Sequence, residues 1–172
     1  ISDPVLAGAD AVVTAEVLAN VIFKGEFDIV ICGTESTDAR MSVVPAMMSE
    51  KLGCAQLTFA SKVSVDPAAK KVSITRVTEA GVDEVHGEFP CVISVVEKIN
   101  EPRYPSFKGI MAAKKKTIDI RDFASTGSEF TKSWSAVVDS APRPPRAGGV
   151  VVTDDGTAGQ KLVDFLSEKK LI

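Results

Sequence analysis

The chain has 172 residues, 45% of them hydrophobic and 25% charged, which is close to the average for one globular domain with its own core. No run of 18 apolar residues and no secretory signal is visible, so we expect no membrane span. The net charge of −3 contains a local charge of +5 between Lys98 and Arg121, from seven Lys/Arg against two Asp/Glu, which leaves −8 elsewhere. This stretch lacks interleaved aromatics, and the chain as a whole is acidic, which disfavours nucleic-acid binding. A solvated face and a partner surface both stay open for it.

The first third of the chain alternates helical and strand patterns. Apolar spacing predicts a helix from Asp10, its N-cap, to Lys24, and the apolar run Phe27 to Cys32 predicts a strand buried on both faces of a parallel sheet. A small polar loop follows from Gly33 to Arg40. A second helix is predicted from about Met41 to Leu52. This order is typical of a doubly wound α/β domain.

The middle of the chain changes its period. Lys62 to Asp66, Lys71 to Val77 and Val82 to Glu88 alternate apolar and polar residues and predict an antiparallel meander. The meander leads into an apolar strand, Cys91 to Val96.

The last third is irregular. We predict a helix near Ser106 to Ala113, a strand around Thr117 to Ile120, and an extended arm from Asp139 to Gly149, which holds three prolines and a glycine pair. A final helix carries Leu162, Val163 and Leu166. The fold expected is α/β, with a mostly parallel doubly wound sheet, an antiparallel extension and an extended C-terminal arm.

Signatures of enzymatic chemistry are missing from the sequence. It contains no GxSxG elbow, no Walker loop and no GxGxxG, and His86 is its only histidine. Cys32, Cys54 and Cys91 form no CxxC pair and sit in apolar runs, which indicates buried thiols in a reducing compartment. We therefore expect neither an enzyme nor a metal site.

The loop after the first strand is the candidate nucleotide site. Ligands of open α/β sheets bind beyond the carboxyl ends of the strands, where a following helix offers free N–H groups to a phosphate. An ordinary capped loop is the alternative. The candidate residues are Gly33, Thr34, Glu35, Ser36, Thr37, Asp38, Ala39, Arg40, Met41, Ser42, Val43 and Val44.

A second stretch resembles a known family. Asn100-Glu101-Pro102-Arg103-Tyr104-Pro105-Ser106, followed by Gly109-Ile110-Met111-Ala112-Ala113-Lys114-Lys115-Lys116, is similar to the signature of electron-transferring flavoprotein beta subunits. The resemblance extends over essentially the whole chain, and family members carry roughly ninety further residues upstream, so we expect the chain to be N-terminally incomplete.

The resemblance implies an adenine-nucleotide-binding fold and a heterodimer. An alpha subunit holds most of the FAD, and the beta subunit, residues 1–138 here, binds a structural AMP. A recognition loop, matched to residues 95–117, docks acyl-CoA and related dehydrogenases, and electrons pass on to a quinone reductase. Residues 139–172 would contact the alpha subunit. The implied docking residues are Asn100, Glu101, Pro102, Arg103, Tyr104, Phe107, Ile110, Met111, Lys114, Lys115 and Lys116, with Phe107 at the place of the family's anchoring leucine.

Two features depart from the family. Gly33 matches the family, but Thr34, Glu35 and Ser36 stand where many members have Lys, Gln and Ala, and Val43 stands where they have a glutamine near the helix start. These changes make the loop less positive and bear on the choice between AMP and a second FAD. Val77 stands at the place of a glutamate that meets the alpha subunit. The rival interpretation is a nucleotide-binding regulatory domain of the universal-stress-protein kind, whose late Gly-rich motif is not found. The expected location is the cytoplasm, or the mitochondrial matrix in a eukaryote.

Overall fold

The structure is a computed structural model that describes residues 1–129, 132–146 and 148–172. These residues form two compact units, 1–137 and 138–172. The helices of the first unit are α1 (Ala11–Phe23), α2 (Val44–Leu52) and α3 (Phe107–Ala113), and its strands are β1 (Ile29–Gly33), β2 (Ala55–Asp66), β3 (Lys71–Thr78), β4 (Gly81–Glu88) and β5 (Cys91–Val95).

The five strands form one mixed sheet in the order β1-β5-β2-β3-β4. β5 lies parallel to both β1 and β2, while β3 and β4 continue the sheet as antiparallel strands. β5 is the most buried strand, because it has a parallel neighbour on each side. The α/β fold with a parallel core and an antiparallel extension is therefore confirmed.

β2 belongs to both parts of the sheet and is much longer than the predicted Lys62 to Asp66. Its first half pairs with β5 and its second half with β3, and the register shifts near Ala60. Phe59 has a φ of 62° at this irregularity, and its N–H donates to the Ser94 hydroxyl at 2.9 Å. The bulge lets one strand serve two partners of opposite direction.

The main core cluster joins β2, β3 and β5, and further buried apolar residues lie on α1 and α2. Helix α2 packs against β2 and β5, and α1 packs against α2. The Lys51 ammonium lies 3.0 Å from a Glu16 carboxylate oxygen across the two helices. The main core cluster is Leu57, Ala60, Val72, Ile74, Cys91 and Ile93.

Two further predicted elements differ in their bounds. Helix α2 begins at Val44 and not near Met41, because Arg40 and Ser42 adopt positive φ values of 50° and 57° that a right-handed helix cannot contain. Strand β1 starts at Ile29, and the expectation that it is buried on both faces is wrong. β1 is an edge strand among the described residues, and the Ile31 side chain is 68% exposed.

The strand predicted around Thr117 to Ile120 is absent. These residues are exposed and have no neighbouring strand in the part of the chain that the structure describes. The alternation of Ile118 and Ile120 indicates strand propensity, but a strand needs a partner to satisfy its backbone groups.

The second unit contains the C-terminal segment. Residues 139–146 and 148–149 form neither helix nor strand, in agreement with the predicted arm, and Ala147 of that arm lies outside the described residues. Helix α4 (Ala158–Glu168) follows and confirms the predicted final helix. Its apolar residues Leu162, Val163 and Phe165 are exposed.

Candidate functional site: a cleft at the carboxyl end of β1

A cleft of about 700 Å³ opens where β1 ends at Gly33. Three parts of the first unit line it: the loop after β1 with the start of α2, the first turns of α1 with the residues before it, and residues 135–137. Its volume is within the range of small-molecule sites. The carboxyl end of a parallel strand is also where α/β sheets bind ligands.

The cleft brings together most of the predicted nucleotide residues. Thr37, Arg40 and Val43 do not line it. The nine that do are Gly33, Thr34, Glu35, Ser36, Asp38, Ala39, Met41, Ser42 and Val44.

Internal hydrogen bonds hold the loop in shape. The Thr34 hydroxyl donates to the Val95 carbonyl at 2.7 Å, which ties the loop to the end of β5. The Ser36 hydroxyl and the Ala39 N–H both donate to one Asp38 carboxylate oxygen. These bonds, that of Ser36 first, lower the pKa of Asp38 below its ordinary value. The carboxylate is therefore charged at neutral pH.

The charge of the cleft is unusual for a phosphate site. Its lining contains the carboxylates of Asp10, Glu35 and Asp38 and no lysine or arginine. The backbone N–H groups nearest the start of α2 that belong to lining residues are those of Ser42 and Val44. Pro45 in the first turn of α2 offers no N–H. Carboxylate acceptors with few N–H donors suit sugar hydroxyls better than a highly charged phosphate chain.

Sequence analysis missed two of the three walls of the cleft. Ala11, Thr14 and Leu18 lie three and four residues apart on one face of α1 and line the cleft, as do Ser135 and its two successors. The helical spacing could have shown the first wall. The second comes from a segment more than a hundred residues away, which no local pattern indicates.

Asp10 joins these two walls. One of its carboxylate oxygens accepts from the N–H groups of Val12 and Val13 at 3.1 and 3.0 Å and caps α1. The other accepts from the N–H groups of Trp134 and Ser135 at 2.7 and 3.2 Å. These hydrogen bonds, that of Val13 first, lower the pKa of Asp10.

The reactive side chains Cys32 and His86 lie on β1 and β4, at opposite ends of the strand order. Cys32 lines the cleft, but burial raises the pKa of its thiol and so disfavours the nucleophilic thiolate. His86 lies on β4, where its Nδ1 is 2.8 Å from the Ser73 hydroxyl. Within the described ranges, no three His, Cys, Asp or Glu residues are grouped to hold a metal ion, and no helix is long and apolar enough to cross a membrane.

The predicted docking residues lie apart from the core. All residues from 100 to 120 are exposed. Phe107 is 80% exposed at the start of α3, and Tyr104 is 98% exposed. The Ser106 hydroxyl caps α3 by accepting from the Gly109 N–H at 3.1 Å. Phe107 is therefore not a core residue of the first unit.

The fold and the cleft define an α/β protein with a small-molecule-sized site at the carboxyl edge of its parallel strands. Residues 1–126 match the family model described as the electron transfer flavoprotein domain. The chain therefore belongs to the electron transfer flavoprotein family.

The similar proteins are beta subunits. The chain is 41% identical to "Electron transfer flavoprotein subunit beta" of Mycobacterium tuberculosis, and the match covers 100% of this chain and 66% of the relative. The protein of the same name from Megasphaera elsdenii is 30% identical over 98% of the chain and 66% of its own length. The Bos taurus protein is 32% identical over 87% of the chain and 58% of its own length. The chain thus spans about two thirds, or less, of these relatives, whose names describe electron-transfer proteins.

Proposed function

We propose that this chain acts as the beta subunit of an electron-transferring flavoprotein and is an electron-carrier subunit, not an enzyme. The observation that carries the proposal is the cleft at the end of β1, in which nine of the twelve expected nucleotide residues meet. In this role an alpha subunit holds most of the FAD, and the chain binds AMP as a structural ligand.

The chemistry of the cleft supports an adenine nucleotide with a single phosphate. Leu18, Met48 and Val137 offer apolar surface to a purine ring. Glu35 and Asp38 can accept hydrogen bonds from ribose hydroxyls. Each further phosphate of ADP or ATP would add negative charge beside three carboxylates, which costs free energy in a partly dehydrated site.

The second part of the proposal is that residues 95–117 dock dehydrogenases. Phe107, Ile110 and Met111 expose apolar surface on one short helix, and Lys114, Lys115 and Lys116 follow it directly. An aromatic residue beside a cationic patch suits a brief encounter with an acidic partner surface. Acyl-CoA and related dehydrogenases are the partners proposed, with a quinone reductase receiving the electrons.

The C-terminal unit is proposed to hold the alpha subunit. Pro142, Pro144 and Pro145 keep the arm extended, and α4 exposes apolar residues that a partner could cover. Val77 is exposed on β3 and uncharged. It therefore cannot make the charged contact to the alpha subunit that the resemblance assigns to a glutamate at this place.

The match of residues 1–126 to the electron transfer flavoprotein domain removes the universal-stress-type alternative. One purification tests the proposed role. The chain is co-expressed with an alpha subunit of the family, and we expect a yellow heterodimer with flavin absorbance. Deleting residues 141–172 should weaken that association. A colourless chain that binds no alpha subunit would contradict the proposed role. The same preparation, fractionated from its host, tests the proposed cytoplasmic or matrix location.

A further inference from the structure

Two aspartates near the start of the chain share one hydrogen-bonding arrangement. Asp3 caps a short 3₁₀ helix with one oxygen, which accepts from the Val5 N–H at 3.0 Å. Its other oxygen accepts from the Phe123 N–H at 2.9 Å. Asp10 likewise caps α1 with one oxygen, and its other oxygen accepts from the N–H groups of Trp134 and Ser135. Each carboxylate therefore joins the N-terminal segment to a distant returning segment.

The two aspartates differ in whether the segment that they hold lines the cleft. Asp3 does not line the cleft, whereas Asp10 lines it together with Ser135, Ala136 and Val137. Ser133 strengthens the Asp10 junction, because its hydroxyl accepts from the Asp10 N–H at 3.2 Å and donates to the Gly8 carbonyl at 3.3 Å.

A helix cap alone does not account for Asp10. Serine, threonine or asparagine caps a helix about as well, since the cap needs one acceptor oxygen. The second oxygen of Asp10 receives two N–H groups from a segment that is otherwise exposed: Trp134 is 86% exposed and Val137 likewise 86%. A charged acceptor holds such donors more strongly than a neutral one.

We propose that Asp10 is a positioning residue of the nucleotide cleft, and that it holds segment 133–137 in place as the wall that closes over the bound adenosine. The inference rests on the proposed binding of AMP to this cleft. Without the Asp10 carboxylate the cleft keeps its loop and its α1 face but loses its third wall. The affinity of the cleft for the adenosine part of AMP then falls, because binding has to order segment 133–137 at a cost in free energy.

The test uses the full chain, AMP as the probe, and three variants. Asp10→Asn keeps one acceptor oxygen for the cap of α1 but places an NH₂ group against two N–H donors. Asp10→Ser keeps the cap and removes the second oxygen altogether. Asp3→Asn makes the same chemical change at the matched junction away from the cleft and is the control. Calorimetry gives the AMP dissociation constant, and Trp134, the chain's single tryptophan, reports on the segment by its fluorescence.

We expect both Asp10 variants to weaken AMP binding roughly tenfold, and Asp3→Asn to stay within about twofold of the unmodified chain. AMP should shift the Trp134 emission in the unmodified chain and in Asp3→Asn, and much less in the Asp10 variants. A general loss of stability would affect the control as well and would not move the emission selectively.

The outcomes separate this inference from the function on which it rests. Unchanged AMP affinity and an unchanged emission response in the Asp10 variants would overturn the role of Asp10 and leave the AMP site standing. An unmodified chain that binds no AMP would overturn both.

Discussion

The Thr34 hydroxyl and the Val95 carbonyl, 2.7 Å apart, join the ends of two parallel strands. Thr34 is the first residue after β1 and begins the cleft loop, while Val95 ends β5 and begins the proposed recognition loop. One hydrogen bond therefore connects the proposed nucleotide site to the proposed docking segment.

This bond yields the first prediction. Thr34→Val keeps the shape of the side chain but leaves the Val95 carbonyl without its donor, which should destabilise the fold by about 1 kcal/mol, or lower Tm by roughly 2–4 °C. AMP affinity should fall about fivefold, because the loop loses its tie to β5. Calorimetry and thermal melts measure both.

Thr34→Ser is the matched control, since it retains the hydroxyl. It should bind AMP within about twofold of the unmodified chain. If Val and Ser at this position behave alike, the hydrogen bond does not organise the loop.

The second prediction concerns the exposed Phe107. Phe107→Ala should reduce affinity for a partner dehydrogenase by on the order of thirtyfold, because a buried aromatic anchor at an interface is worth more than about 2 kcal/mol. Its Tm should stay unchanged, since the side chain lies outside the core. Surface plasmon resonance and electron-transfer rates with an acyl-CoA dehydrogenase give the readout.

Phe23→Ala is a fair control, because Phe23 is also strongly exposed but ends α1 outside the recognition loop. It should leave dehydrogenase binding unchanged. Equal effects of the two substitutions would remove Phe107 as the anchor.

The third prediction assigns a different role to the lysine triplet. Replacing Lys114, Lys115 and Lys116 by glutamine should mainly slow association with the dehydrogenase and flatten its dependence on salt, because exposed charges steer the encounter. Stopped-flow rates at low and at moderate salt test this. A change confined to the dissociation rate would argue against steering.

How much of this could be read from the sequence depends on the range of the interactions. Asp10 as the cap of α1, the pairing of β3 with β4, and the Gly33 loop follow from residues close in the chain. The start of α2 was misjudged because the positive φ values of Arg40 and Ser42 leave no mark in an apolar pattern. The first half of β2 was missed because its neighbour is β5, more than thirty residues further on.

The cleft likewise has one part that local sequence predicts and another part that depends on long-range contacts. Its loop was predictable, since a glycine at a strand end followed by small polar residues is a local signal. The hydrogen bonds from Trp134 and Ser135 to Asp10 are not, because they join residues 124 and 125 positions apart. Only folding brings that wall to the site.

The fourth prediction is a pH dependence. Backbone N–H donors lower the pKa values of Asp3 and Asp10 from 3.8 in the folded state, with Val5 the first cause for Asp3 and Val13 for Asp10. Such groups add stability that is present above the unfolded-state pKa and is lost as the pH falls through the folded-state value. Asp3→Asn and Asp10→Asn should therefore lower Tm at neutral pH and match the unmodified chain increasingly well below about pH 3.8. Parallel melting curves across that range would contradict these assignments.

The most direct test of the account is the ligand content of the heterodimer formed with the alpha subunit. Flavin absorbance and nucleotide chromatography after denaturation give the moles of FAD and AMP per heterodimer. The account predicts one FAD, held mainly by the alpha subunit, and one AMP that Asp10→Asn reduces. Two FAD and no AMP, or a heterodimer whose AMP content does not respond to changes in the cleft, would contradict it.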